Sequence, residues 1–228
     1  MSLSIAEILK EASKGAWEDC YRHPFVQELG AGTLDREAFR FYLVQDYVYL
    51  IEYARVFAAG ALKASGERLM THFAAMQHAI LHMEMDLHRA YMASYGISPE
   101  EAGNAAPSLF NKAYTSNMLA VAQTGGAAEI LAVVLPCAWS YYDYGTRLRA
   151  DYADRLEGNP YRSWIEMYAG DEYRESIQWL FDALEDACEG ASESGRNSLS
   201  EIFETSVRFE YLFWDMAYTR RMSYEKRA

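Results

Sequence analysis

The sequence predicts an all-α protein, folded as one bundle of seven or eight helices over residues 1–228. Apolar residues make up 51% of the chain, which is enough to form a large buried core. They recur at helical spacing rather than in the alternating pattern of strands, and the chain contains neither Asn-Gly nor Asp-Gly, the common hairpin signals. The connectors are mostly short, and none is long or polar enough to mark a domain boundary.

Glycine and proline residues divide the helical pattern into its elements. The first helix is expected to end before His23-Pro24, and the segment LGAGTLDREAF breaks the chain at Gly30 and Gly32. The predicted helices cover residues 4–21, 35–64, 67–95, 107–124, 127–156, a short segment that ends near Gly170, 171–189 and 198–224. Pro136 lies inside the fifth and predicts a kink or a freed backbone carbonyl. The segments ISPEEAGNAAPS and GASESGRNS are expected to be connectors, the first with one helical turn.

The net charge and the cysteines limit which binding partners and which cellular compartment the sequence predicts. Acidic residues outnumber basic ones by 33 to 21, and the net charge of −12 argues against nucleic acid as a partner. The dense basic clusters, Arg220–Arg221 and Lys226–Arg227, are predicted to be a solvated helix end. No apolar run reaches the roughly 18–20 residues of a membrane span, and the N-terminus lacks the features of a signal peptide. The three cysteines form no CxxC pair, which favours reduced thiols in a cytoplasm.

The segment FRFYLVQDYVYLIEYAR carries a carboxylate on an aromatic helix face. Tyr42, Asp46, Tyr49 and Tyr53 are spaced four, three and four residues apart, and therefore share one side of a helix. Because the surrounding positions are apolar, we expect this side to point inward, where a carboxylate needs hydrogen-bond partners. Those partners are either neighbouring tyrosine hydroxyls or the amino group of a ligand.

A cysteine follows a proline in the apolar segment EILAVVLPCAWSYYDYG. A buried cysteine usually behaves as a small hydrophobic residue, whereas a catalytic Cys137 would need help to reach the thiolate. No histidine lies near it in sequence, so an activating group would have to come from another helix. Cys20 and Cys188 are less suggestive as nucleophiles, because acidic residues precede or surround them.

Glu210 lies on an otherwise apolar helix face within FETSVRFEYLFWDMAY. Burial there would raise the pKa of its carboxyl group and suit it to general acid catalysis. The alternative is a structural ion pair with Arg208, Arg55 or another cation.

Four of the five histidines lie in THFAAMQHAILHMEMDLHRAY, which invites comparison with metal sites. Glu84 precedes His88 by four residues, whereas di-iron bundles use a three-residue spacing on two helices. The zinc motif His-Glu-x-x-His is absent, while a haem would need only one axial histidine. The sequence therefore predicts no metal and no cofactor, with a haem- or di-iron-type oxygenase as the alternative.

Together these segments resemble the TenA family, also called thiaminase II or aminopyrimidine aminohydrolase. The resemblance runs along nearly the whole chain and rests on HPFVQELGAGTL, FYLVQDYVYL, EMDLHRAY, AYTSNM, EILAVVLPCAWSYYDYG, YRSWIEMYAGDEY and FEYLFWDMAY. It implies a haem-oxygenase-like fold without haem and a homotetramer. It also implies salvage of thiamin breakdown products, in which 4-amino-5-aminomethyl-2-methylpyrimidine is hydrolysed to the hydroxymethyl pyrimidine with release of ammonia. Many members also cleave thiamin itself, more slowly.

The resemblance implies roles for single residues as well. Cys137 would be the nucleophile, as in the Cys-containing branch of the family, and Glu210 would be the acid/base. Asp46 would bind the ring nitrogen and the exocyclic amine of the pyrimidine. The pocket would be lined by Tyr49, Tyr114, Tyr141 and Tyr168, whose hydroxyl groups are predicted to converge near Cys137. Ala138 and Asp143 depart from the residues common in the family, with effects expected on pocket shape or packing.

Two further alternatives stay open from the sequence. One is a non-enzymatic regulator, because the family has carried a transcriptional-activator label. The other is a hydrolase that acts on a different aminopyrimidine, such as a formylated one.

Overall fold

The computed structural model describes residues 3–224, and within that range the chain is helical and contains no β-strand. The prediction of an all-α fold is confirmed. The chain divides into two compact units. The first unit is formed by the chain up to Leu34 together with Leu131–Trp214, and the second by Asp35–Ile130 together with the chain from Asp215 onward. That residues 1–228 form a single domain stays a prediction.

The helices are numbered in chain order. They are α1 (Ile5–Ala12), α2 (Lys14–Tyr21), α3 (Pro24–Ala31), α4 (Arg36–Lys63), α5 (Glu67–Ala79), α6 (Met85–Ser94), α7 (Pro99–Gly103), α8 (Leu109–Thr124), α9 (Ala127–Asp151), α10 (Arg162–Tyr168), α11 (Asp171–Ala187) and α12 (Glu193–Thr219). A π-helical turn, Ile80–Glu84, joins α5 to α6, and a 3₁₀ turn, Ala153–Arg155, follows α9. No helix in the described range is both long and apolar enough to cross a membrane.

Trp17 is a centre of the packing in the first unit. Its ring stacks on Phe203 of α12 at a centroid distance of 6.2 Å. Its indole N–H donates to Asp143 of α9 over 2.8 Å, and its carbonyl accepts from the Tyr144 hydroxyl over 2.9 Å. Asp143 also binds Lys10 at 3.2 Å. Asp143 therefore connects α9 to α1 and α2 through these contacts.

In the second unit α4 packs against α5, α6 and α8. Asp35 caps the start of α4, because its carboxylate accepts from the backbone N–H groups of Glu37 and Ala38 at 2.8 and 3.0 Å. A side chain at Gly60 would place a Cβ 2.5 Å from the ring of Phe73, so the glycine permits the close approach of α4 and α5.

The N-terminal region departs from the predicted helix bounds. The predicted helix over residues 4–21 is interrupted at Ser13, whose backbone leaves the helical region. Pro24 opens a further helix, which the sequence reasoning missed. This helix forms because the fixed φ of proline suits a first helical turn and because the His23 side chain caps it. Gly30 stays helical and packs on Tyr152, whereas Gly32 ends α3 with φ +74°.

The other boundaries are closer to expectation. The predicted turn in ISPEEAGNAAPS is α7. The predicted connector GASESGRNS is wrong in its second half, because α12 begins at Glu193 and the Ser192 hydroxyl caps it by accepting from the Gly195 N–H at 3.2 Å. Arg220–Arg221 follows the end of α12 and is exposed, as predicted, while Lys226–Arg227 lies outside the described residues.

The π-helical turn changes the register of the predicted helix over residues 67–95. The Met85 N–H donates to the carbonyl of Ile80, five residues earlier. Ile80 and Met85 are both buried, and His88 and Met92 follow on the buried side at ordinary helical spacing. The extra residue in this turn therefore places His88 on the inward face of α6. Such turns are frequent near functional sites.

Candidate functional site

The aromatic face of α4 is buried, as predicted, and Asp46 is only 4% exposed. The Oδ2 atom of Asp46 lies 2.6 Å from Nε2 of His88, which is also 4% exposed. The sequence left tyrosine hydroxyls or a ligand as the expected partners of this carboxylate. A histidine from α6 supplies the hydrogen bond instead.

Both ring nitrogens of His88 lie beside oxygen atoms. Nε2 contacts the Asp46 carboxylate, and Nδ1 lies 3.3 Å from the backbone carbonyl of Glu84. Because a carbonyl can only accept, Nδ1 carries a hydrogen, and the proton of the other bond lies between Nε2 and Oδ2. Burial lowers the pKa of His88, but the charge and hydrogen bond of Asp46, together with the Glu84 charge, outweigh it and raise the pKa above its ordinary value. The raised pKa favours the imidazolium form of His88 in this hydrogen bond with Asp46.

Glu84 adds a second acidic group to this cluster. Burial raises the pKa of its carboxyl group to about 7, partly offset by the nearby His88 cation and reinforced by Asp46. His88 and Glu84 therefore hold more protons near neutral pH than isolated side chains would.

Tyrosine rings extend the same face of α4. Tyr49 is 3% exposed and packs against Tyr114 of α8 and Tyr53, with ring centroids 5.2 and 5.3 Å away. Its hydroxyl donates to Sδ of Met118 over 3.6 Å. Two of the predicted pocket tyrosines are therefore neighbours, in an aromatic wall next to Asp46 along α4.

A polar network fixes the turn of α4 that carries Asp46. The Asn111 side-chain amide donates to the Gln45 carbonyl over 2.7 Å, and the Gln45 side chain accepts from the Ser108 N–H over 2.8 Å. The Gln45 amide donates in turn to the carbonyl of Ala106. These buried bonds tie α4 to the start of α8.

Cys137 lies in the middle of α9 and is half-buried. The helix runs through Pro136 without ending, and proline has no N–H to donate to the carbonyl of Ala132, four residues earlier. The Ser140 hydroxyl donates to the Cys137 carbonyl over 3.2 Å. The preceding stretch of α9 is fully buried, so Cys137 begins the part of this helix with an accessible side.

Tyr141 and Tyr168 meet in the first unit. Their ring centroids are 4.7 Å apart at 67°, and Trp164 contacts both rings. Tyr173 packs on Tyr168 and donates its hydroxyl to the carbonyl of Ala138 over 3.2 Å. The second pair of predicted pocket tyrosines thus belongs to one aromatic cluster, in which Tyr141 lies one turn after Cys137 on α9.

Glu210 is 2% exposed, so the predicted burial of this carboxyl group is confirmed. The two arginines offered as ion-pair partners bind other carboxylates: Arg55 binds Glu52, and Arg208 binds Glu204. Burial, followed by the charge of Glu210, raises the pKa of the Cys20 thiol. Cys20 is therefore a neutral thiol, and it donates to the Val207 carbonyl over 3.3 Å.

Within residues 3–224, no three or more histidine, cysteine, aspartate or glutamate side chains are placed to hold a metal ion. His78 and His82 are exposed, and their ring centroids lie 4.3 Å apart with the planes tilted by 38°. The expected absence of metal and cofactor stays a prediction.

The predicted site residues fall into two groups. Asp46, Tyr49 and Tyr114 belong to the second unit, and Cys137, Tyr141, Tyr168 and Glu210 belong to the first. Within the units, Tyr49 lies against Tyr114 and Tyr141 against Tyr168. The convergence of all four hydroxyl groups near Cys137 stays a prediction.

Comparison with known proteins identifies the family. The family described as TENA/THI-4/PQQC matches residues 11–220 of this chain. The chain belongs to this family. An aminopyrimidine aminohydrolase from Halalkalibacterium halodurans is 45% identical over 96% of this chain and 98% of the relative. One from Helicobacter pylori is 41% identical over 95% of this chain and 99% of the relative.

Solved structures agree with this membership of the TENA/THI-4/PQQC family. The TenA homologue from P. horikoshii superposes with a TM-score of 0.86 at 32% identity, over 95% of this chain and 99% of that chain. A Shewanella denitrificans domain with a heme oxygenase-like fold gives a TM-score of 0.75 at 13% identity, over 96% of this chain and 94% of that domain. The haem-oxygenase-like fold expected from the sequence is confirmed.

His88 and Glu84 are the residues beside Asp46 that sequence reasoning missed. Their sequence pattern suggests only metal ligands, and a four-residue spacing is unsuitable for that role. The available signal was the position of His88 in EMDLHRAY, a segment that carries the family resemblance. The five-residue interval from Ile80 to Met85 breaks ordinary helical periodicity, and it precedes the inward face of α6.

The buried pair predicts a pH dependence of stability. Because the folded pKa of His88 is raised, the pair stabilises the fold fully below the ordinary histidine pKa of about 6.5, and this contribution is lost as the pH rises through the folded pKa. The wild type should therefore lose more free energy of unfolding between about pH 6 and pH 9 than the double variant Asp46→Asn/His88→Gln. Urea unfolding at both pH values measures this. An equal loss in the two proteins would contradict the charged pair.

Gly145 permits the close approach of α9 to α10. A Cβ there would lie 3.0 Å from the backbone nitrogen of Ala169 and from Cβ of Tyr168. Gly145→Ala should lower the free energy of unfolding by about 1–3 kcal/mol, because backbone atoms have to shift. Gly15→Ala is the matched control, since nothing lies within 4 Å of that position and its stability should be unchanged or higher. Thermal unfolding of both variants checks this, and an unchanged melting temperature for Gly145→Ala would contradict it.

Proposed function

We propose that this chain is an aminopyrimidine aminohydrolase of thiamin salvage, which converts 4-amino-5-aminomethyl-2-methylpyrimidine and water to the hydroxymethyl pyrimidine and ammonia. The observation that carries the proposal is the 45% and 41% identity with two aminopyrimidine aminohydrolases over nearly the whole of each chain. The buried carboxylate and tyrosines of α4 support it, because aromatic rings stack on a flat heterocycle and a carboxylate accepts from its amino group.

The site residues have distinct roles in the proposed reaction. The Cys137 thiolate adds to an electrophilic ring carbon, which forms a C–S bond and breaks the aromaticity of the ring. The ring electrons expel the amine as the C–N bond breaks, and Glu210 gives its proton to the departing nitrogen. Water then adds to the exocyclic carbon and returns a proton to Glu210. The C–S bond breaks, which restores the ring and the thiolate.

Asp46 and the tyrosines bind the substrate in this scheme. Asp46 recognises the ring nitrogen and the exocyclic amine, and Tyr49, Tyr114, Tyr141 and Tyr168 line the pocket. The support from geometry is the burial of Asp46 beside an aromatic wall and the contact between Tyr141 and Tyr168. The hydroxyl groups would fix the polar edge of the ring while the aromatic faces stack on it.

An ammonia-release assay tests the function. The chain is incubated with the aminomethyl pyrimidine, its formyl derivative and thiamin, with the cleaved pyrimidine measured for thiamin. We expect the aminomethyl pyrimidine to be the fastest substrate and thiamin to be slower. Failure to act on any of the three would contradict the proposal. A preference for the formyl derivative would replace the substrate assignment, and a haem absorption band or stoichiometric iron would favour the oxygenase alternative.

The proposal extends to assembly and compartment. We expect a cytoplasmic homotetramer of single-domain chains that uses no cofactor and binds neither nucleic acid nor membrane. The net charge of −12 supports the lack of nucleic-acid binding, and with it disfavours a regulator that contacts DNA directly. Light scattering should give a mass four times the 26.0 kDa of one chain, and a monomeric mass would contradict the tetramer.

A further inference from the structure

The Asp46–His88 pair presents a problem that the proposed chemistry does not solve. Both side chains are nearly inaccessible, at 4% exposure each. A buried carboxylate ordinarily takes up a proton, because the charged form is poorly solvated. A protonated Asp46 would be a poorer hydrogen-bond acceptor for the amino group of a pyrimidine, because one of its two oxygen atoms would carry a hydrogen. A neighbouring group is therefore needed to keep this carboxylate charged.

We infer that His88 is a positioning residue for substrate recognition, which fixes Oδ2 of Asp46 and keeps its carboxylate charged, so that Asp46 selects the amino edge of a pyrimidine. This inference rests on the proposed function, in which Asp46 binds the ring. His88 itself acts through Asp46 and contacts no reacting atom in this scheme.

The geometry supports an oriented and charged carboxylate. Nε2 of His88 approaches Oδ2 at 2.6 Å, while Nδ1 is held by the Glu84 carbonyl at 3.3 Å, so the ring is fixed at both nitrogens. A carboxylate has about four acceptor positions, and His88 occupies one of them. The others can accept from two adjacent donors, which an aminopyrimidine offers as its exocyclic amine and a protonated ring nitrogen.

The fold provides the frame for this contact. The π-helical turn places His88 on the inward face of α6, and α6 packs on α4. On the other side, Asn111 binds the carbonyl of Gln45, the residue before Asp46. The titratable groups that act on His88 are Asp46 on α4 and Glu84 in the π turn. The carboxylate is thus fixed by the backbone of α4 and by a cation from α6.

The Asp46 carboxylate also determines which class of ligand should bind. A charged carboxylate accepts hydrogen bonds and repels acceptors, so a pyrimidine with an amino group at its polar edge should bind, and one with an oxo group there should not. We therefore expect the hydroxymethyl aminopyrimidine product to bind the wild type at least about 100-fold more tightly than its 4-oxo analogue, since an unpaired buried acceptor is costly.

Two substitutions separate the charge of His88 from its hydrogen bond. His88→Gln keeps an N–H donor for Asp46 but carries no charge, and His88→Leu has neither. At neutral pH we expect KM for the aminomethyl pyrimidine to rise about tenfold in His88→Gln and further in His88→Leu, with a smaller change in kcat. His82→Gln is the matched control, because His82 is exposed in the same segment and its KM should not change.

The selectivity for the amino edge distinguishes this role from a general loss of structure. His88 binds and orients Oδ2 of Asp46, so its removal should weaken the discrimination between a donor and an acceptor on the ring. The preference for the hydroxymethyl aminopyrimidine over its 4-oxo analogue should therefore narrow in His88→Gln and narrow further in His88→Leu, while His82→Gln keeps the wild-type ratio.

The outcomes are distinguishable. An unchanged KM in His88→Gln at neutral pH would overturn the inference, and so would a wild-type preference for the amino over the oxo pyrimidine in both His88 variants while circular dichroism shows an intact fold. If His88→Leu does not fold, His88→Gln alone decides. Failure of the wild type to act on any aminopyrimidine would contradict the proposed function instead. Activity lost in Asp46→Asn but unaffected in both His88 variants would contradict only the inference.

Discussion

Replacement of Cys137 by serine is expected to abolish release of ammonia from the aminomethyl pyrimidine, with a fall in kcat on the order of 10³-fold or more. A hydroxyl group has nearly the shape of a thiol but is not ionised near neutral pH, so it cannot add to the ring. Cys137 is half-buried, and the exchange should leave the melting temperature within a few degrees. Steady-state ammonia assays and thermal unfolding measure both effects.

Cys188→Ser is the matched control for the nucleophile. Cys188 is a buried thiol at the C-terminal end of α11, and it has no role in the proposed chemistry. Its variant should keep the wild-type kcat, which would show that loss of activity is specific to one thiol. Full activity in Cys137→Ser would contradict the nucleophile assignment.

Glu210→Gln is expected to lower kcat by about 10²- to 10⁴-fold, with a smaller effect on KM. Glutamine has the volume and hydrogen-bonding capacity of glutamate but cannot give a proton to the departing amine. Because Glu210 is 2% exposed and lies near Cys20 and Tyr144, whose pKa values its charge helps to raise, the substitution should also lower the pKa values of both groups. Steady-state ammonia assays of the variant measure kcat and KM separately.

Glu204→Gln separates catalysis from a general change in charge. Glu204 lies on the same helix and pairs with Arg208 at the surface, where ion pairs contribute little. Its variant should retain the wild-type rate and pH profile. An unchanged rate in Glu210→Gln would remove this residue from the mechanism, and an equal loss in both variants would point to the fold instead.

The inward face of α4 illustrates what helical spacing can predict. Tyr42, Asp46, Tyr49 and Tyr53 follow a regular helix, so a count of residues was enough to place them on one buried side. The same regularity accounts for the long helices and for the burial of Glu210. These features depend on local periodicity, which the sequence records directly.

The partner of Asp46 depends on features that periodicity does not record. His88 reaches it only because a π turn adds a residue before α6 and because α6 packs on α4. The start of α3 is similar, since Pro24 both ends one helix and opens the next. In both places the local signal was visible, but its outcome depends on tertiary packing. The order of the long helices was therefore easier to predict than the hydrogen bonds of the site. The predicted number, seven or eight, was wrong, because the described residues form twelve α-helices.

The tyrosines depend both on helical spacing and on tertiary packing. The contacts of Tyr49 with Tyr114, and of Tyr141 with Tyr168, agree with the assignment of these residues to a pocket. Their position around one substrate is a question of three-dimensional arrangement, which spacing within a helix does not determine.

A crystal structure of the protein with the hydroxymethyl aminopyrimidine product tests the central claim most directly. The account predicts that the exocyclic amine lies about 3 Å from an Asp46 carboxylate oxygen, with His88 still bound to Oδ2 and Cys137 Sγ beside the ring. A ring bound elsewhere, or bound with its amino group away from Asp46, would contradict the account.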